Sequence, residues 1–524
     1  MTIKCFRLFF LVLMLGSAAK IKAFELDIGV VASEGSASSL PAKWYSTATF
    51  MEIYVRAYKD SNGDGIGDFN GLTSKLDYLQ DLGIKGIWLL PIMKSQDRDH
   101  GYAAVDYRKV EPDYGTEEDF KRLLAEAHKR GIGVIIDYTL NHSGAESPLF
   151  IESAKGNPTY RDWYHWSDYK LRWTNWTRDP TWHESNGAFY YGLFWDQMPD
   201  FNLDNPEVVA YHQNSMRYWL NMGVDGFRFD AVNTLFEHPE TGAFDKRKNF
   251  AFMSEAILPV VREYENRFAI CEVPFHSKDA SAICDSAFYF GMHARMMGSA
   301  KFKHKRPKLV KDILDANMDE MATILSNHDS FTGGRLNEQF AGNIGKYKAA
   351  VTTLLTLPGT PFVYYGDEVA MGHRIDKSDP DADHRLRAPM SWTADPINAG
   401  FSSGIPFREL ARNSQVDNLD RLSKDPNSIY HHYRDLIHLR NKLPAMHSGS
   451  FSPLSIDNGK VFLFERQYKK QRLVIAINYA DSSQLVKHVV FGQCLKNLKG
   501  AHVNQLMSGI RIPPHGYSIL LECS

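Results

Sequence analysis

Four short acidic segments, each at the end of an apolar run, concentrate the reactive side chains of this sequence. They are Asp137 to His142 after Val134-Ile-Ile, Asp230 at the end of Gly226-Phe-Arg-Phe, Glu272 after Ala269-Ile-Cys, and Asn327-His328-Asp329 after Leu325-Ser. Carboxyl groups at the carboxyl ends of several strands build an active site in a parallel barrel, whereas a stable fold has no need of them there. Arg228 stands two residues before Asp230 and so shares its side of a strand. A cation at that place keeps Asp230 ionised, as a nucleophile requires, while Glu272 in a more apolar setting can hold a proton and serve as acid and then base. Singly, each residue has an ordinary structural explanation: Asp137 as a loop cap, Arg228 with Asp230 as an ion pair, His142 as a satisfied histidine. Their joint occurrence in order favours chemistry.

The elements that must hold these residues are legible as recurring strand-like runs: Met51 to Val55, Ile84 to Leu90, Val134 to Asp137, Gly226 to Asp230, Phe268 to Glu272, Ala287 to Phe290, Thr323 to Leu325 and Pro361 to Tyr365. Eight such runs alternating with helical patterns predict an α/β fold, a (β/α)8 TIM barrel. Thr116 can cap one intervening helix with Asp119 reaching back, and Phe120, Leu123, Leu124 and Ala127 form its apolar stripe before Gly131. About 85 residues separate the third and fourth runs, far more than one helix needs, so an inserted domain is expected at 143–203 over the carboxyl face. After about residue 445 the pattern turns to short strands, Val461 to Arg466, Leu473 to Asn478, His488 to Phe491 and Tyr517 to Leu521, which predict a C-terminal antiparallel β domain at 446–524. The catalytic barrel is then 46–142 with 204–445.

The 524 residues carry a formal net charge of −2, which gives no electrostatic case for a nucleic-acid partner. Residues 1–23 read as a secretory signal peptide, with Lys4 and Arg7 before an apolar run and Ala23 before Phe24, followed by a leader at 24–45 whose stretch Ser33 to Ser39 is expected to be disordered. The protein is thus expected to be exported, periplasmic or extracellular, with no membrane anchor in the mature form and as a monomer. Four cysteines follow the signal, and in an exported protein they permit disulfides, 271–284 with 494–523 having the shortest loops. Four buried thiols are the other reading, since Cys271 lies on a strand whose geometry can forbid a bridge. Asp60-Ser-Asn62-Gly-Asp64-Gly-Ile66-Gly-Asp68 places oxygen side chains at alternating positions with glycines between, a pattern suited to a hard cation such as Ca2+. Gly71 stands where an EF-hand would need its glutamate, so that loop type is excluded.

With these motifs the chain resembles the alpha-amylase family of retaining glycoside hydrolases. The resemblance rests on the four acidic segments in order, on Met198-Pro-Asp200-Phe-Asn202, His100-Gly-Tyr102, Asp106-Tyr107, Tyr114-Gly-Thr116 and Pro361 to Glu368, and it spans roughly residues 45 to 440. It implies Asp230 as nucleophile, Glu272 as acid/base and Asp329 as a third carboxylate gripping sugar hydroxyls, with Asp137 mainly supporting the site. It further implies Tyr102, His142, Arg228 and His328 as substrate-binding residues. The loop at Asp60, Asn62, Asp64, Ile66 and Asp68 resembles the family's calcium loop, Ile66 lending its carbonyl to a structural ion. Departures from the family pattern are Cys271 where a glycine is common, Pro274 where an aromatic is frequent, and Asn233-Thr234 where many starch-cleaving members have Lys-His.

Retaining hydrolysis needs two carboxyl groups flanking the scissile bond. The leading expectation is hydrolysis of internal α-1,4-glucosidic bonds in starch, glycogen or maltooligosaccharides, and the Met198 to Asn202 segment resembles the group intermediate between oligo-1,6-glucosidases and neopullulanases. The alternative is an exo-acting α-glucosidase or oligo-1,6-glucosidase, and after it a transglycosylase such as a trehalose synthase. Asp99, beside His100, could close a pocket for exo action if an arginine faced it. A sugar-binding barrel without catalysis would have lost one of the carboxylates, and none is lost.

Overall fold

The structure is a computed structural model and describes residues 26–36, 38–97, 99–302, 306–373, 383–454, 460–487, 495–501 and 509–522. Eight parallel strands close into a barrel: Phe50–Ile53, Gly86–Leu89, Gly133–Tyr138, Gly226–Phe229, Phe268–Cys271, Ser286–Phe288, Met321–Thr323 and Thr360–Tyr364. Each pairs with its sequence neighbours and the first with the eighth. All eight anticipated runs are barrel strands. The seventh lies two residues earlier than expected, because Ile324 and Leu325 continue the apolar run beyond the paired stretch.

The strands are buried on both faces, which is why they read as apolar runs and not as alternating patterns. Phe50, Trp88, Ile135, Ile270, Phe288 and Phe362 fill the interior, and Leu40 and Trp44 join that cluster. A Cβ on Gly133 would stand 2.4 Å from the Trp44 ring, so only glycine lets the indole approach the third strand. Among the outer elements, helix Glu117–Lys129 has the anticipated capping box of Thr116 and Asp119, and Phe120, Leu123, Leu124 and Ala127 are its buried stripe.

Three additions surround the barrel. A hairpin of Met93–Ser95 with Ala104–Val110 follows the second strand and was not anticipated; its connecting loop carries Asp99, His100 and Tyr102. Between the third and fourth strands, a short helix Pro148–Ala154 and a three-stranded antiparallel sheet of Trp166–Ser167, Ala188–Tyr191 and Trp182–Ser185 account for the excess length. Trp163, Trp182, Tyr190 and Tyr191 are core there, while Trp176 and Trp195 are exposed. The C-terminal antiparallel sheet includes Val461–Tyr468, Gln471–Asn478 and Tyr517–Glu522. The anticipated strand His488 to Phe491 lies outside the described residues.

Buried Arg466 joins this sheet to the barrel, and buried Arg440, on helix Ile429–Lys442, ties the segments just before the sheet together. Arg466 donates to the carbonyls of Gly449 and Thr356 at 2.8 and 2.9 Å, and Arg440 to those of Leu355, Leu357 and Met446, each at 3.0 Å. At the other end of the chain, the expected disorder of Ser33 to Ser39 gives way, in its described part, to a strap without regular structure that is nonetheless pinned. Val31 and Glu34 donate to the side chains of Asn214 and Asn221, Asn221 returns a bond to Ala32, and Arg267 binds the carbonyl of Ser36. Residues 1–23, the expected signal, lie outside the described residues.

Cys271 and Cys284 form a disulfide, so the strand position permits the bridge after all. The partner pairing, Cys494 with Cys523, falls outside the described residues. Among the described residues no helix is long and apolar enough to cross a membrane.

Candidate active site

The fourth strand delivers Arg228 inward, and its guanidinium organises the site. Nη1 lies 2.8 Å from both oxygens of Asp137 and 2.5 Å from Asp230, while Nη2 lies 2.7 Å from Glu272. One planar fork thus holds three carboxyls from the third, fourth and fifth strands, a geometry that a lysine cannot reproduce. The anticipated contact with Asp230 is present. The contact with Glu272 was not anticipated, so that glutamate sits in a setting less apolar than its sequence neighbours suggested.

Asp137 is fully engaged. Besides Arg228 it accepts from the Tyr102 hydroxyl at 2.9 Å and the Trp88 indole at 3.2 Å. Burial, opposed by Arg228 and reinforced by Asp230, pushes its carboxyl up to about 7. Glu272 is raised above the usual carboxylate range by burial, against the pull of Arg228 and with the help of repulsion from Asp230. Its Oε2 accepts the backbone N–H of Ala231 at 3.0 Å. Ala231 adopts a left-handed conformation, φ 44°, immediately after Asp230, and this turn aims its N–H at the glutamate. Local strain of that kind is held in place only by surrounding structure and is concentrated at functional sites.

His328 stacks beside Tyr102, ring centroids 5.7 Å apart and 13° between planes, with Nε2 at 2.7 Å from the tyrosine oxygen. Its Nδ1 lies 2.6 Å from Glu52, a buried carboxyl of the first strand that burial and Asp329 push well above its ordinary value. Tyr102 donates its proton to Asp137, and the same Glu52 oxygen accepts the backbone N–H of His328 at 3.1 Å. Asp329 is raised well above its ordinary value by burial, with Arg387 opposing at 3.4 Å and Glu272 adding repulsion. His142 is buried and held neutral, its ring lowered to about 3 by desolvation. Its Nε2 has no hydrogen-bond partner among the described residues, and its ring leans on Phe194 at 5.2 Å.

Glu52, Trp88, Arg387 and the Ala231 N–H escaped sequence reasoning. A charged residue alternating inward from an apolar strand is a signal that could have found Glu52, and the same holds for Trp88. Asp99 does meet an arginine. It lies 2.7 Å from Arg408, 2.5 Å from His384 and accepts the Tyr54 hydroxyl at 2.7 Å. Burial would raise its carboxyl, but the His384 bond and Arg408 reverse this and hold it far below the usual range.

The calcium expectation is overturned. The oxygens of the loop are turned upon the loop itself: Asp60 accepts the N–H groups of Asn62, Gly63 and Gly65 and the Ser402 hydroxyl. Asp64 accepts from Ile66 N–H and the Asn62 amide, and Asp68 from Ser61 N–H and hydroxyl and from Gly71 N–H, capping helix Phe69–Thr73. Among the described residues no three His, Cys, Asp or Glu side chains gather as a cation would require. The oxygen-rich spacing that suggested a metal instead serves a hydrogen-bonded turn.

A closed (β/α)8 barrel whose neighbouring strands present two carboxyls to one arginine, beside a third carboxyl and a stacked Tyr–His pair, defines a barrel enzyme of glycosidic chemistry. Residues 52–449 match the alpha-amylase catalytic domain, and the chain belongs to the alpha-amylase family. It is 33% identical over 446 residues to alpha-amylase 3 of Dictyoglomus thermophilum, covering 83% of this chain and 85% of that one. It is 32% identical over 504 residues to the trehalose synthase/amylase of Mycolicibacterium smegmatis, covering 84% and 83%. Among solved structures, the alpha-amylase from H. orenii superposes with a TM-score of 0.80 at 32% identity over 91% of this chain and 99% of that one. The isomaltulose synthase of Erwinia rhapontici gives 0.79 at 28% identity over 92% and 100%. The protein is therefore an enzyme of retaining glycosidase or transglycosylase chemistry on glucan-type substrates.

Proposed function

We propose that this enzyme acts from the non-reducing end of short α-glucosides, removing one glucosyl unit at a time, in preference to cutting within a polysaccharide. The observation that carries this reading is the contact of Asp99 with Arg408 and His384. These residues tie the hairpin loop bearing Tyr102 to two segments that follow the eighth strand. Arg387, in the first of those segments, also reaches Asp329. In this reading the three braced segments close the site behind a terminal sugar, which supports exo action over passage of a polymer. The names of relatives favour small substrates: trehalose synthases and oligo-1,6-glucosidases recur, and the isomaltulose synthase is described with its natural substrate sucrose.

In this reading Asp230 attacks the anomeric carbon and Glu272 protonates the departing oxygen. The glucosyl ester on Asp230 is then released to water or to a second sugar, with Glu272 as base. Arg228 pairs with Asp230 and Glu272 and sets both carboxyls on one template. Asp329 and His328 hold the sugar, and Tyr102 lies beneath it. Asp137 fixes Arg228 and Tyr102. The disulfide supports export to an oxidising compartment.

The test is a product time course on maltooligosaccharides with free and with blocked non-reducing ends. Glucose, or its transfer products, should come from the free substrates alone. Cleavage of the blocked ones at a comparable rate would overturn exo action and favour internal hydrolysis.

A further inference from the structure

We propose that the disulfide between Cys271 and Cys284 is a positioning device for proton transfer, anchoring from outside the barrel the strand end from which Glu272 projects into it. The proposal rests on the reading of Glu272 as acid/base.

Alternation along the fifth strand sends Ile270 and Glu272 inward and Cys271 outward. Ile270 belongs to the cluster that fills the barrel, and Cys271 to the one between the strands and the helices. Cys284 lies just past helix Ser277–Ser281 and just before the sixth strand. The bond therefore closes the whole connection after Glu272 into a covalent ring. Its other holds gather on the helix: Ser277 donates to the carbonyls of Val273 and Phe288, Lys278 to that of Asp315, and Lys246 pairs with Asp279. Val273 is buried, but Phe275 is 86% exposed only three residues beyond Glu272.

Support from neighbouring strands is one-sided. On the fourth-strand side the register runs from Phe268 to Cys271, Glu272 N–H donates to Phe229 at 2.9 Å, and Val232 N–H donates to the Glu272 carbonyl at 3.1 Å. On the sixth-strand side only Ile270 and Cys271 are paired. Asp285 bonds back to Ala269 and Ser277 to Val273 and Phe288, all without reaching Glu272. The disulfide adds a covalent hold on the outer face at Cys271, the last residue paired on the sixth-strand side and the one directly before the glutamate. A bridge serving stability alone would gain nothing from that adjacency. For an acid that must meet a leaving oxygen, a displacement of about 1 Å costs about a hundredfold in rate.

The experiment compares two variants, Cys271→Ala/Cys284→Ala and Cys271→Val/Cys284→Ala, with the parent enzyme and with Glu272→Gln. The substrates are maltose, whose leaving sugar needs a proton, and 2,4-dinitrophenyl α-glucoside, whose leaving group does not. Both cysteine variants should keep their circular-dichroism signature, lose about ten- to a hundredfold in kcat/KM on maltose, stay within about threefold in kcat/KM on the activated glucoside, and shift the basic limb of the kcat/KM pH profile. Equal losses on both substrates, or no loss on either, overturn the positioning role. Failure of both variants to fold also overturns it, assigning the bridge to stability. Glu272→Gln separates the two readings: if it shows no split between substrates, the acid/base assignment itself falls, whatever the cysteine variants do.

Discussion

Arg408 meets Asp99 at 2.7 Å although 309 positions separate them in the chain. Asp99 has in addition the His384 imidazole and the Tyr54 hydroxyl, so Arg408 is one of three supports for a carboxylate that is itself nearly buried. In the exo-acting reading proposed above, this contact is a wall whose strength can be titrated by mutation.

Arg408→Ala should loosen this wall without dissolving it. A hydrogen bond to a charged group contributes about 1.5–3 kcal/mol, so kcat/KM on an aryl α-glucoside should fall by about ten- to a hundredfold. At the same time the blocked maltooligosaccharide should become a better substrate relative to the free one. An unchanged ratio of the two rates would detach Arg408 from substrate choice.

Arg228→Lys tests the three-carboxyl fork. A lysine brings one point charge where the guanidinium brings a fixed plane, so Asp137, Asp230 and Glu272 lose their common template. We expect kcat to fall by at least about a hundredfold, and the melting temperature to drop because three buried carboxyls keep fewer partners. Steady-state kinetics and a thermal melt read both effects. A kcat within a few-fold of the parent would show that the carboxyls hold their places without it.

The raised carboxyl of Glu272 fixes the sign of the pH dependence. The free enzyme needs this group protonated, so kcat/KM is full below its pKa and falls as pH rises through it. Because burial raises that pKa, the basic limb should lie above the ordinary carboxylate range. Glu272→Gln should lower kcat on maltose by about 10²- to 10⁴-fold and remove the basic limb on an activated glucoside. A basic limb unaltered in the glutamine variant would assign it to another group.

The Asp60 loop predicts a stability effect independent of cations. Asp60→Asn places an amide donor where Oδ1 and Oδ2 together accept from three backbone N–H groups and Ser402. The substitution should destabilise by about 1–3 kcal/mol, read by denaturant unfolding. Treating the parent enzyme with a chelator should leave its melting temperature unchanged, and a drop of several degrees would contradict the hydrogen-bonded account.

The barrel was legible because its strands are buried on both sides and stand out as apolar runs even without alternation. Asp230 and Glu272 were legible because each ends an apolar run in order along the chain, and Arg228 because it stands two residues before Asp230. What stayed hidden depends on tertiary meetings that local pattern does not encode. Arg408 and Arg387 come from loops beyond the eighth strand, and nothing near them in sequence marks their partners. The hairpin after the second strand was hidden because Met93–Ser95 is too short a strand to stand out as a run. The Asp60 loop misled for a physical reason: carboxylates spaced by glycines suit either a cation or backbone N–H groups, and only the fold shows which they face.

Arg466, the cation of the C-terminal sheet that grips a main-chain carbonyl of the barrel, bears on how such a chain can be inherited. The carbonyl of Thr356, at the end of the helix before the eighth strand, is met by Arg466, a side chain contributed from beyond the barrel. Recombination that exchanged the last eighty residues for an unrelated module would strip this partner from the turn before the eighth strand, a cost that favours inheriting barrel and sheet together.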